Sequence, residues 1–249
     1  MGSMFKEEIY CIPPLSNYSY SFPSPRFASD EGLLAYGGDL SSVRILTAYR
    51  NGIFPWYNKG DPILWWSPSP RLLLYPGKFI VQKSFRRILR NAGFSVTFDR
   101  HFSKVIHHCA TIMRKGQNGS WILPEIQEAY IRLHEEGYAH SIEVHKEGKL
   151  VGGLYGISMG KAFFGESMFS LVKDASKVAF KALSDVLVEK SYDFIDCQME
   201  TDHMIRLGAV TVSRDYFLDL LDQTLQKPSE LGNWQHFHWE YKEKENDGK

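Results

Sequence analysis

The chain has 249 residues, 43% of them hydrophobic, with 29 basic and 29 acidic residues, enough apolar material for one large or two unequal packed domains. No run approaches the roughly 18 apolar residues of a membrane span, and no secretory apolar region follows the first residues. Cys11, Cys109 and Cys197 lack the paired spacing of a disulfide framework or a zinc site, so a cytoplasmic protein without membrane association is expected. The zero net charge hides an asymmetry: between Pro62 and Pro124 ten bases face one acid, Asp99, leaving that block at +9 and the rest at −9. The bases are Arg71, Lys78, Lys83, Arg86, Arg87, Arg90, Arg100, Lys104, Arg114 and Lys115. Such a block fits a polyanion footprint and equally a solvated surface with acids nearby in space.

In chain order, Met1-Gly2-Ser3 reads as a cloning remnant, and the first forty residues read as irregular, with turn signals at 22–25 and 36–39. Ser41 or Ser42 is expected to cap a helix through Tyr49, ended by Gly52. A loop with large apolar residues follows at 53–57, then a short strand at 63–66. The Ser67-Pro68-Ser69-Pro70 run breaks it, and a domain boundary is set there: a small N-terminal α/β domain over 4–70, a second domain over 71–240 and a frayed charged tail over 241–249. The second domain is expected to run as a strand at 71–75, an amphipathic helix at 82–91, a strand at 94–98 and a helix at 102–114. Pro124 opens a helix ending near Gly137. Two hairpins join strands at 138–145, 149–158 and 161–165. A long helix spans about 174–190, with a strand at 194–198, a short helix, a strand near 209–212 and a last helix from 215. The overall class is α+β.

From about Ala139 the order of strand, hairpin, strand, long helix, strand, short helix and strand resembles the GCN5-related N-acetyltransferases. In that family a Gly-rich loop after the central strand cradles the pyrophosphate of coenzyme A, a task suited to backbone N–H groups at a helix N-terminus. The corresponding segment here, 166–174, holds no glycine and two acids. The resemblance implies acyl transfer, and the loop argues against coenzyme A as the donor.

Five strings then converge: Leu33-Leu34-Ala35-Tyr36-Gly37-Gly38-Asp39-Leu40, Gly52-Ile53-Phe54-Pro55-Trp56, Trp65-Trp66-Ser67-Pro68-Ser69-Pro70-Arg71, Phe164-Gly165-Glu166-Ser167-Met168-Phe169-Ser170 and Ile195-Asp196-Cys197-Gln198. In this order and at these distances the chain resembles the leucyl/phenylalanyl-tRNA–protein transferase family from about Phe22 to Leu220. The resemblance implies transfer of Leu or Phe from aminoacyl-tRNA to the α-amine of an N-terminal Arg or Lys; Met is expected as a further donor side chain because an apolar pocket separates such side chains by only about 1–3 kcal/mol. The acceptor protein is thereby marked for degradation by the N-degron pathway. A monomer that engages the 3′ end and acceptor stem of the tRNA is expected, with no metal and no organic cofactor.

Asp196 and Gln198 lie two apart on a strand, so both side chains are expected on one face. The reaction is aminolysis of an activated ester, which needs an amine held in place, a proton removed and an oxyanion stabilised. The resemblance implies that both are catalytic. An amide is a very poor base, so Gln198 is read as orienting the amine and Asp196 as supplying negative charge. Apart from the resemblance, the pair reads as strand-end groups satisfying the backbone.

The resemblance also marks Glu166 as a site residue, facing the acceptor's cationic groups or a ribose hydroxyl, where the bland reading is an exposed hairpin position. It implies that Trp56 and Trp121 stack on the terminal adenosine, while Trp65 and Trp66 are read as packing. By the same matching the aminoacyl pocket is Leu154, Phe163, Met168, Phe180, Leu183, Leu187 and Ile195, each of which, taken alone, reads as core packing in preference to pocket. Lys83, Arg87 and Arg90 match the family's cluster for acceptor-stem phosphates, contacts that fix position and carry no sequence information. His107 and His108 diverge by about 100° on a helix and are read as structural. Two rival readings are a coenzyme A-dependent N-acyltransferase and a non-catalytic RNA-binding module.

Overall fold

The structure, a computed structural model, describes residues 12–112 and 120–243. A four-stranded sheet comes first, ordered β1 (Pro14–Leu15), β2 (Leu33–Gly37), β4 (Leu64–Trp66), β3 (Phe54–Pro55). The stretch expected to be irregular therefore contains two strands, β1 and β2. Leu33, Leu34 and Ala35 are all buried, so the segment lacks the alternation that marks a half-exposed strand. The expected loop at 53–57 likewise supplies the short edge strand β3. Helix α1 (Ser42–Arg50) begins at Ser41, whose hydroxyl accepts the Arg44 N–H at 3.4 Å. Trp65 and Trp66 are buried and give their indole N–H groups to the carbonyls of Gly37 and Trp56, at 2.9 and 2.6 Å, which fits their reading as packing residues.

The second sheet has seven strands in the order β11-β5-β10-β9-β8-β7-β6. They are β5 (Arg71–Leu74), β6 (Phe94–Phe98), β7 (Ala139–Lys146), β8 (Lys149–Met159), β9 (Ala162–Ser170), β10 (Phe194–Gln198) and β11 (Val210–Val212). Between them run α2 (Lys83–Asn91), α3 (Phe102–Thr111), α4 (Pro124–Glu135), α5 (Ala175–Glu189), α6 (Asp202–Arg206) and α7 (Arg214–Leu225). The expected continuation of α3 to residue 114 falls partly outside the described residues. One face of the large sheet shares a core with the small sheet, α1, α3, α4 and α7. The other face packs against α5, α2 and the C-terminal aromatics Trp234 and Phe237. Alternation divides neighbours between the two faces: Phe163 and Ile195 join the α5 core, Phe164 and Phe194 the other. Residues expected in the frayed tail include Glu243, which reaches Arg90 and lies 3.7 Å from Arg86; residues 244–249 are outside the described set.

One strand boundary departs from expectation in a way that matters. β9 continues to Ser170 instead of ending at 165, because β8 supplies partners along its length, down to Gly152 opposite Ser170. Glu166 is therefore a strand residue and the loop before α5 shrinks to 171–174. The β8–β9 register slips between Tyr155, opposite Ser167, and Gly156, opposite Gly165, so Glu166 is the extra residue of a β-bulge. Glycine at 156 permits this approach, since a Cβ there would lie 2.2 Å from the Phe164 carbonyl oxygen and 2.5 Å from its neighbour Phe163's ring. Gly156→Ala should thus destabilise the protein by about 1–3 kcal/mol through overpacking. A melting temperature equal to the native one would show that the bulge does not need the glycine.

Candidate active site

β9 and β10 are the parallel neighbours of the large sheet, and their ladder pairs only Ala162 with Phe194, Phe163 with Ile195 and Phe164 with Asp196. Beyond that point each strand carries an irregularity. On β9 it is the Glu166 bulge; on β10 the register against β5 slips between Asp196 and Gln198. Gln198 adopts φ +61°, left-handed backbone uncommon for a residue with a side chain. Asp196 and Gln198 do come together, but not through the simple alternation expected. The slip redirects Gln198, and its amide Nε2 donates to Glu166 Oε1 at 2.9 Å, bridging the two strands just past their last ladder pair.

Glu166 is half-buried and enclosed by hydroxyls. Tyr49 of α1 donates to its Oε1 at 2.5 Å and Tyr130 of α4 to its Oε2 at 3.1 Å, while the two phenols lie 2.5 Å apart. Both tyrosines are fully buried. Desolvation by burial pushes the Glu166 carboxyl up from 4.5 to about 7, the Tyr49 and Tyr130 hydroxyls pull it down, and Asp196 nearby pushes it up again. If both phenols donate to the carboxylate, no proton is left for the Tyr49–Tyr130 contact; a protonated carboxyl that donates to one phenol frees that phenol's proton for the other, so proton counting agrees with a raised value. Burial first, and then the Glu166 charge, raises both tyrosines well above their ordinary range.

Asp196 is in a different state. It is 0% exposed and paired with an equally buried Arg71 of β5. Arg71 Nε donates to Oδ1 at 2.9 Å and Nη2 to Oδ2 at 2.6 Å, a two-pronged fork. Oδ1 also accepts the Gln198 backbone N–H at 2.9 Å. The negative charge expected at the reacting centre is thus already balanced, and Arg71 leaves the basic footprint to which composition assigned it.

The other expected site residues divide into three groups. Trp56 and Trp121 are both half-buried and lean on the core shared by the two sheets, with Trp56 edge-on to Trp66 at 5.6 Å. Leu154, Phe163, Phe180, Leu183, Leu187 and Ile195 are buried together in the α5 core, and Met168 is half-buried against it. They do converge, on the sheet face opposite the tyrosines. Lys83, Arg87 and Arg90 are exposed on α2, as an RNA-facing cluster requires. His108 stacks on Phe169 at 4.7 Å, in keeping with a structural role. A cleft of about 960 Å³ between α2, β6, α5 and residues 238–242 contains none of the residues bridging β9 and β10. Among the described residues, no group of three His, Cys, Asp or Glu is arranged to hold a metal.

Tyr49, Tyr130 and Arg71 were not foreseen. Both tyrosines sit on the buried faces of amphipathic helices, where the pattern reads as core. Arg71 directly follows the Trp-Trp-Ser-Pro-Ser-Pro string, and an arginine at the head of a strand of buried Leu72, Leu73 and Leu74 was the available signal.

Comparison with known proteins places these residues in context. The profile described as "Leucyl/phenylalanyl-tRNA protein transferase" matches residues 73–222, and that of its N-terminal domain matches residues 38–69. A "Leucyl/phenylalanyl-tRNA--protein transferase" from Maridesulfovibrio salexigens is 52% identical over 221 residues, 88% of this chain and 92% of that one. One from Syntrophus aciditrophicus is 53% identical over 213 residues, 86% and 89% of the two chains. Among solved structures, a ribosomal-protein-alanine N-acetyltransferase from Brucella melitensis matches loosely, with TM-score 0.30 and 15% identity over 40% of this chain and 75% of that one.

The Glu166 environment sets a pH dependence of stability. In the unfolded chain Glu166 titrates near its ordinary 4.5, and in the fold near 7. Between those values the unfolded chain releases a proton that the folded chain keeps, so this group's contribution falls as pH rises, and its full penalty stands above 7. Glu166→Gln should therefore gain stability relative to the native protein at pH 8 compared with pH 5, by up to about 3 kcal/mol at 1.36 per pKa unit. A melting-temperature difference that is the same at both pH values would contradict the raised carboxyl.

Proposed function

This chain belongs to the leucyl/phenylalanyl-tRNA–protein transferase family, and from that premise we propose that the cluster at the end of the β9–β10 ladder is where an aminoacyl ester is handed to an incoming amine. The protein is a transferase that takes its amino acid from aminoacyl-tRNA and gives it to protein. The acceptor is the α-amine of an N-terminal Arg or Lys, and the donor carries Leu or Phe, with Met tolerated, since an apolar pocket separates such side chains by only about 1–3 kcal/mol. The product is marked for the N-degron pathway. The protein works in the cytoplasm as a monomer, and its domains meet at residue 70, with the second running to 240. No helix among the described residues is long and apolar enough to cross a membrane.

The observation that carries the site assignment is the Gln198–Glu166 bridge between the two strands just past their last ladder pair. With its nitrogen turned to Glu166, the Gln198 amide presents its oxygen to an amine N–H. The amine's lone pair then attacks the ester carbonyl, the C–O bond to the tRNA ribose breaks, and one proton must move from nitrogen to the ribose oxygen. Glu166, titrating near neutrality, is matched to that transfer in a way a fully ionised carboxylate is not. The Tyr49 and Tyr130 hydroxyls hold the carboxylate's orientation. The aminoacyl side chain enters from the Met168 edge of the α5 core, the lining residue of the seven that is not fully buried. Trp56 and Trp121 take the terminal adenosine, and α2 takes acceptor-stem phosphates.

The decisive measurement is single-turnover transfer of Leu from charged tRNA to a peptide beginning with Arg. Gln198→Ala and Glu166→Gln should each lower the transfer rate far more than the affinity for charged tRNA, as loss at the reacting centre does. Equal loss of rate and affinity would sink the assignment. For α2, Lys83→Ala combined with Arg87→Ala should weaken tRNA binding and flatten its salt dependence, each lost phosphate contact reducing the slope by somewhat under one unit. An unchanged slope means the helix does not touch nucleic acid. Trp56→Ala or Trp121→Ala should cost roughly 1–3 kcal/mol of affinity for an aminoacyl-adenosine analogue. A melting shift without loss of analogue affinity would make the tryptophan a packing residue only.

A further inference from the structure

Arg71 is a fully buried cation. Its guanidinium lies over the ring of Phe217 from α7, at 4.4 Å, and over that of Phe54 from β3, at 5.0 Å. Two of its nitrogens are used on Asp196, and the third, Nη1, is buried without a hydrogen-bond partner among the described residues. A residue kept under those conditions is expensive, and an apolar pair of the same volume would often fit such a place at least as well. The pair has one further connection. Asp196 Oδ1, gripped by Arg71 Nε, also accepts the backbone N–H of Gln198, the residue in left-handed backbone whose amide reaches Glu166. Orientation therefore passes from the planar fork to the carboxylate and on to the Gln198 turn and amide.

We infer that Arg71 is a positioning residue of the transfer reaction: it locks the Asp196 carboxylate so that Asp196 fixes the turn presenting Gln198, and Asp196 does not take the amine's proton. The inference rests on the reading that Gln198 faces the aminoacyl carbonyl. Its chemical content is a division of labour. If Asp196 accepted a proton it would weaken its fork and leave a buried guanidinium without a counter-charge, a strongly unfavourable arrangement. Glu166 carries no such obligation.

The test uses the full chain and single-turnover transfer from charged tRNA to the Arg-initiated peptide, with charged-tRNA affinity and melting temperature measured on the same samples. Arg71→Lys keeps the positive charge and loses the fork. It should slow transfer by roughly tenfold to a hundredfold, the effect of a small misplacement at a reacting centre. Charged-tRNA affinity and the pH midpoint of the rate should stay native. Asp196→Asn leaves Arg71 uncompensated and should also be slow. Adding Arg71→Gln to Asp196→Asn removes the stranded charge and restores an amide–amide contact, so the double variant should transfer faster than Asp196→Asn alone.

Native transfer by Arg71→Lys would overturn the inference. So would a folded double variant no faster than Asp196→Asn, the result expected if Asp196 itself accepts the proton. Arg71→Lys keeps the question open to test should a neutral variant fail to fold. Gln198→Ala separates the two levels: native transfer by Gln198→Ala removes the site reading itself, whereas a slow Gln198→Ala beside a native Arg71→Lys removes only the role given to Arg71.

Discussion

The constraint on which the site depends is the short reach of the β9–β10 ladder. Parallel strands normally satisfy each other's backbone groups along their shared length. Here pairing stops after Phe164 opposite Asp196, and each strand carries an irregular residue just beyond. Bulges of this kind re-aim side chains and end pairing. Without them, Glu166 and Gln198 would continue the alternation of their strands, one ladder step further along. With them, the two side chains meet across the gap, and helices α1 and α4 bring hydroxyls to the same place. Four segments distant in sequence, near residues 49, 130, 166 and 198, thus contribute to one hydrogen-bonded group.

Two carboxylates, Glu166 and Asp196, sit close together with opposite solutions to burial. An unpaired charge away from water costs several kcal/mol. Asp196 meets that cost with a guanidinium and a backbone N–H that donate to its oxygens. Among the described residues no cation hydrogen-bonds to Glu166; it has hydroxyls and an amide, which serve either protonation state. Separation of two acids by environment is a general way of dividing an electrostatic role from a proton-transfer role. The ionised neighbour itself helps to keep Glu166 near neutrality.

The sequence made much of this readable, and the gaps have physical causes. Periodicity located the main helices from the spacing of their apolar residues, although α5 is buried continuously over 178–184 and α2 fully buries only Phe85. Glu166, Asp196 and Gln198 were found through motif resemblance, since nothing in their spacing distinguishes a bulged strand from a regular one. The slip that makes Glu166 an extra residue depends on Gly156, ten positions earlier on another strand. β2 was missed because a strand buried on both faces loses its period-two pattern, and β9 was cut short because its mostly half-buried end, 166–170, is set by pairing with β8, a partner no local pattern reveals. Tyr49 and Tyr130 were invisible as site residues for the same reason that they work: a phenol can pack as an aromatic along its ring and still offer a hydroxyl at its tip.

Charge shows the same difference between sequence and space. The +9 block looked like one surface, yet its first member, Arg71, is buried and neutralised. On α2, Arg86 and Arg90 are met by Glu243, an acid more than 150 positions away by chain order that composition counted in the other half of the ledger. The two pairings differ in kind. The Arg71–Asp196 pair is closed to water and cannot exchange partners without exposing a buried charge. The Arg90–Glu243 pair is exposed on both sides, and such pairs contribute at most about 1 kcal/mol. A phosphate can therefore replace Glu243 at little cost, while Lys83 and Arg87, also exposed on α2, keep the helix positive whichever partner Arg90 holds. Net charge near zero is compatible with an RNA-facing helix because opposite charges elsewhere are either locked inside or loosely held.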